Sequence, residues 1–187
     1  MINTIPAALN QRSVLTHVFL VIGGSAIIAI SAQIAIPIPF TPVPLTMSPL
    51  AVLLIGIALG SRRGAAAAVL YLLEGLSGLP VGAQGHGGPL WLIGPTAGYL
   101  YAYPFAAFIT GWFSERGFAK GFARAFVAMV IALAVIYLGG WSWLAVIAGP
   151  RAAFTMAIVP FVVADLVKIA IGAALLPYAQ RMIVRMP

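Results

Sequence analysis

Two ionisable residues stand out by where they lie. Asp165 and Lys168 are three positions apart inside an apolar run over 154–178. On a helix, residues three apart share a face and can pair. An ionisable side chain at the centre of a bilayer costs about 2.5–3.5 kcal/mol on insertion scales. Such a pair is either a self-neutralised structural device or the polar floor of a binding pocket. In the second case the lysine offers a point charge to a carboxylate, and the aspartate orients that amine or accepts N–H groups from a ligand. Read as one helix, the run puts both residues close to mid-depth, at about 1.5 Å of rise per residue.

The other chemistry-bearing residues are few: two further acids, Glu74 and Glu115, and two histidines, His17 and His86. Glu115 reads as a solvated loop acid and His17 as an interfacial residue near the start of the first helix. Glu74 is either an acid at the membrane interface or a pocket group. His86 sits in Gln84-Gly85-His86-Gly87-Gly88, where Gly85 and Gly87 let backbone approach a ligand closely. It is either simply exposed there or a hydrogen-bonding group for a ligand. The run Gly94-Pro95-Thr96-Ala97-Gly98-Tyr99 adds the Thr96 hydroxyl and the Tyr99 ring, for helix packing at a kink or for a site. Trp91, Tyr99, Tyr101 and Tyr103 suit interfacial anchoring or the walls of a mouth for an apolar bicyclic ligand. No cysteine is present, which excludes disulfides and thiolate metal sites. No metal ligand set and no cofactor motif is present, and scarce catalytic pairs argue against an intramembrane enzyme.

The elements that must position these residues follow from composition. Of 187 residues, 63% are hydrophobic and 7% charged, against about a quarter charged in soluble domains. The chain is read as one all-α integral membrane domain over 1–187. A barrel would show short alternating segments instead. Helices are expected over 14–36, 46–59, 65–76 (reaching toward 81), 90–113, 125–148 and 154–178. Pro95 and Pro104 should kink the fourth or delay its start. Between the first two lies a stiff extended loop with Pro37, Pro39, Pro42 and Pro44. Ser61-Arg62-Arg63-Gly64 reads as a tight basic turn. The stretch 78–99, rich in glycine and proline, cannot be one helix. In lipid such backbone survives only inside protein or beside a wet cavity.

Six spans put both termini on one side. Arg12, Arg62, Arg63, Arg116, Lys120, Arg124, Arg181 and Arg185 then share that side, which the positive-inside rule makes cytoplasmic. This reading of the +7 net charge as loop charge in an inner-membrane, multi-pass protein displaces nucleic acid as a partner. The proline loop and the glycine-rich stretch face outward. No removable signal and no internal repeat is read. Small residues let helices approach in lipid. Ser25 and Ala29 on the first helix therefore read as internal packing or as a docking face for a partner subunit.

In combination and order, several motifs resemble the BioY family, the biotin-binding S components of energy-coupling factor (ECF) vitamin transporters. The carriers are Pro39-Phe40-Thr41-Pro42-Val43-Pro44-Leu45-Thr46, Leu59-Gly60-Ser61-Arg62-Arg63-Gly64, Tyr71-Leu72-Leu73-Glu74-Gly75, Gly78-Leu79-Pro80-Val81, Gly94-Pro95-Thr96-Ala97-Gly98-Tyr99 and the Asp165/Lys168 pair. The resemblance spans nearly the whole chain. It implies a six-helix protein with an outward pocket for biotin, gated by the loop that holds Pro39, Thr41, Pro42 and Pro44. It implies ligand contacts at Asp165, Lys168 and the glycine-rich loop near His86. Where some relatives carry a basic residue after the Gly-Pro-Thr-Ala-Gly-Tyr run, this chain has Leu100. It also implies a transmembrane coupling subunit and two ATPase subunits as partners, since no Gly-x-x-x-x-Gly-Lys-Ser/Thr run is present. The competing readings are an S component for another vitamin and a scaffold subunit without transport.

Overall fold

The computed structural model describes the backbone of residues 7–184 and the side chains of residues 14–176. Arg12, Arg181 and Arg185, expected on the cytoplasmic side, lie outside the described side chains. Helix α1 spans Ala7–Gln33 and is followed by a two-residue strand β1, Ala35–Ile36. Strand β2, Leu45–Thr46, pairs antiparallel with it, Ala35 opposite Thr46 and Ile36 opposite Leu45. The first helix thus stops at Gln33, short of 36, because Pro37 and the prolines after it favour extended backbone. The loop 37–44 leaves and returns at one point and forms a strap.

Helix α2, Ser48–Leu59, and helix α3, Ser61–Leu76, are joined by Gly60 alone. Gly60 has φ +82°, which favours glycine. The expected basic turn over 61–64 is therefore the first turn of α3, and one left-handed residue makes the reversal. Helix α4, Ala97–Glu115, begins well after 90. The residues before it form short 3-10 turns, Ala83–Gly85 and Pro89–Leu92. Pro95 delays the start, and Pro104 is carried inside the helix. Helix α5 spans Phe122–Ala148.

The last segment departs most from expectation. It is two helices, α6 (Pro150–Ala157) and α7 (Val162–Val184), bent by 43°. The physical cause is Pro160, which has no N–H to give to Met156 and clashes with the preceding turn. Asp165 consequently lies in the first turn of α7 rather than eleven residues into a helix.

Helix α4 is the central element, packed against α2, α3 and α5, while α1 packs on α3 and α2. Glycine sets the closest approaches. A Cβ on Gly56 of α2 would collide with Thr110 and the Ala107 carbonyl of α4, and one on Gly98 of α4 with the Gly139 carbonyl of α5. Without a hydrophobic drive between helices in lipid, such close packing is a main source of attraction. Among the described residues, α1 over Val14–Gln33 and α5 are each long and apolar enough to cross a membrane, and the bent pair α6–α7 qualifies if taken as one span. The fold is that of a helical membrane protein.

Candidate functional site

The break at Pro160 frees carbonyls that a continuous helix would use. Met156 O, left without the Pro160 N–H, accepts the Thr41 hydroxyl at 2.9 Å. Ala157 O accepts the Tyr99 hydroxyl at 2.7 Å. One proline thereby ties both the strap and a pocket wall to α6. The strap's other foot is held too. Lys168 Nζ donates to Thr46 O at 2.7 Å and to Asp165 Oδ1 at 2.8 Å. The pairing expected from the three-residue spacing is therefore present.

Asp165 is buried, and its second oxygen, Oδ2, accepts the Tyr137 hydroxyl at 2.8 Å. Its place in the first turn of α7 adds the favourable field of a helix N-terminus. These contacts explain how the charge is tolerated. They also leave lone pairs, because a carboxylate has about four acceptor positions.

Asp165 forms part of the lining of a partly enclosed pocket with a cavity volume of about 60 Å³. Val43 and Pro44 of the strap and Leu45 and Thr46 of β2 also line it. The remaining walls are largely aromatic: Tyr71, Trp91, Tyr99, Tyr103, Tyr137 and Phe161. Two rings are seated by glycine. A Cβ on Gly75 would occupy the Trp91 ring, and one on Gly140 the Tyr99 ring. Tyr71 meets Trp91 edge-on at 5.5 Å and stacks on Tyr103 at 6.4 Å. Trp91, Tyr99 and Tyr103 are buried, so they are pocket walls and not interfacial anchors; Tyr101 is 41% exposed. The narrow aromatic slot suits a compact, largely apolar ring system with a few polar atoms.

A roomier outer chamber adjoins it, with a cavity volume of about 400 Å³. The two share Pro44, Ala83, Trp91 and Thr96. Pro42, Gln84, His86 and Gly87 line only the outer one. The glycine-rich backbone around it is bonded within the protein: Gly88 N–H to Gly75 O at 2.7 Å and Gly82 N–H to His86 O at 2.8 Å. Gln33 of α1 donates to Gly82 O at 3.0 Å. Trp143 donates to Gly94 O at 3.0 Å. Irregular backbone here is thus both paired and beside a cavity, as lipid requires.

The structure brings together Asp165, Thr96, Tyr99 and Pro44, with His86, Gly87 and Pro42 at the mouth. Gly85 and Pro39 line neither chamber, and Thr41 acts as a tether. Lys168 lines neither chamber; its ammonium faces Asp165 and the strap. Glu74 lines neither chamber and accepts a hydrogen bond from Ser25 Oγ, bolting α3 to α1. This contact speaks for a structural role of Glu74. It also speaks against docking through Ser25, which is fully buried; Ala29 is half-buried. Glu115 is no loop acid either. It accepts from Ser61 N–H at 2.7 Å and from the Ser61 hydroxyl at 2.8 Å, capping α3. His17 contacts the Arg63 guanidinium at 2.7 Å. Sequence reasoning missed Tyr137, Ser48, Phe161 and Gln33. Only a polar tip within an apolar helix marked Tyr137, and Trp141 on the same helix carries the same mark. Among the described residues there is no cluster of metal-ligating side chains, and no buried side-chain polar atom lacks a partner.

The sequence profile of the BioY family matches residues 5–185. A relative from Pyrococcus horikoshii, named "Probable biotin transporter BioY", is 39% identical over 145 residues, covering 78% of this chain and 84% of the relative. A relative from Rhizobium etli, named "Biotin transporter BioY", is 37% identical over 172 residues, covering 87% and 89%. A crystal structure described as the S-component for biotin from an ECF-type ABC transporter superposes with TM-score 0.81 at 22% identity, covering 92% of this chain and 93% of that one. At that identity the superposition speaks for the fold.

Proposed function

This chain belongs to the BioY family, and from that membership we propose that it is a biotin uptake subunit whose ligand lies between the strap and Asp165. Biotin joins a compact, cis-fused bicyclic ring, ended by a urea, to a five-carbon chain ended by a carboxylate. The observation that carries the reading is the aromatic slot with an acceptor floor. Asp165 and the Tyr137 oxygen present lone pairs, which suit the two urea N–H groups. The Ser48 and Tyr103 hydroxyls, near one another at the slot, suit the urea oxygen. The ring fills the space among Tyr71, Trp91 and Tyr99. Lys168 holds Asp165 in place and takes no part in binding the carboxylate, which points to the outer chamber. The strap excludes water over the ring, which strengthens these polar contacts.

In this reading α1 to α5 and the bent α6–α7 pair are six spans with both termini cytoplasmic. Support comes from the way His17, Arg63, Ser61 and Glu115 meet at one end, while the strap and glycine-rich stretch meet at the other. The protein is a transport component of the inner membrane and not an enzyme. ATP hydrolysis belongs to separate ATPase subunits, linked through a transmembrane coupling subunit. With Ser25 turned inward, docking on α1 falls to its exposed apolar face, which includes Phe19, Ile22, Ile27 and Ile30. Purified protein should bind radiolabelled biotin stoichiometrically and with submicromolar affinity. Absence of saturable binding would sink the proposal.

A further inference from the structure

We infer that the tail end of the ligand is read by shape and not by charge, so that the protein accepts biotin carboxamides, conjugates whose carboxyl is joined to an amine. The inference rests on the ligand orientation proposed above. With the urea on the floor, the chain runs past Thr96 and Trp91, which line both chambers, into the outer one. Among the described residues, no lysine or arginine lines either chamber. Leu100, at the inner wall, is apolar. Lys168 already serves Asp165 and Thr46, and Arg151 is exposed on α6 outside both linings. A carboxylate here meets no fixed cation, and removing its charge costs the complex no ion pair.

His86 points the same way. Its Nδ1 is 2.6 Å from Ala83 O. A carbonyl oxygen only accepts, so Nδ1 donates to it and is not available to the ligand. Only Nε2 is left to face the tail, and an imidazole nitrogen serves an amide as well as a carboxylate, so His86 sets no requirement for a charged ligand end. Space agrees: the inner slot is narrow, but the outer chamber has a cavity volume of about 400 Å³, room for a substituent beyond the chain.

The test is competition against radiolabelled biotin on the purified full chain, using biotinamide and biotinyl-lysine. Both should displace biotin with inhibition constants within about tenfold of biotin's own, a difference under about 1.4 kcal/mol. Weaker displacement by both overturns the inference. If biotin itself fails to bind, the proposed function falls first; if biotin binds and the amides do not, only the present inference falls. A second arm uses Thr96→Arg, which puts a cation on the wall shared by the two chambers. It should create a preference for biotin over biotinamide of about tenfold or more. A folded Thr96→Arg protein that binds both equally would overturn the placement of the tail. Should that variant not fold, the competition series on the unaltered chain decides alone.

Discussion

Asp165 and Glu74 are two acids set in apolar helices of one protein, and the structure gives them opposite work. Asp165 has both oxygens engaged, by Lys168 and Tyr137, and still borders a cavity. Glu74 faces Ser25 across the α1–α3 contact and borders neither chamber. A carboxylate in an apolar helix therefore marks a site only when spare acceptor capacity meets open space. Where it meets a hydroxyl on the next helix, it is a bolt.

Four substitutions break or sharpen that contrast. Asp165→Asn should weaken biotin binding most, by about a hundredfold or more, because hydrogen bonds to a charged group contribute about 1.5–3 kcal/mol each. Equilibrium binding checks it, and an unchanged affinity would put Asp165 in the same class as Glu74. Tyr137→Phe should cost about five- to tenfold, the loss of roughly one neutral hydrogen bond's worth of positioning. Thr41→Val removes the strap's tether to Met156 and should raise the biotin off-rate about threefold, read by ligand chase. Glu74→Gln should leave affinity within about twofold while lowering the unfolding midpoint by a few degrees, as loss of about 1 kcal/mol does in a chain of this size. A large affinity loss there would erase the contrast.

Parts of this were legible in the sequence for physical reasons. Three-residue spacing on a helix forces Asp165 and Lys168 together, and dense proline forces an extended strap after α1. The delayed start of α4 follows from Pro95. What stayed hidden depended on partners far along the chain. Pro160 lies in an apolar run whose hydropathy is the same whether the helix is whole or broken. The carbonyls it frees are used by Thr41 and Tyr99, 115 and 58 positions away. Ser61 and Arg62 read as a turn because charge is common in turns, yet Gly60 alone makes the reversal and Glu115 caps the helix that follows. Ser25 and Ala29 carried a small-residue pattern that cannot say which way the face points.

The central claim is that the urea of biotin rests on Asp165 and Tyr137 with its carboxylate toward His86. A crystal structure of the biotin complex tests it most directly. The account predicts urea nitrogens at about 2.8–3.0 Å from the Asp165 carboxylate and the chain running toward Thr96. A carboxylate found against Lys168, with the rings at the mouth, would contradict it.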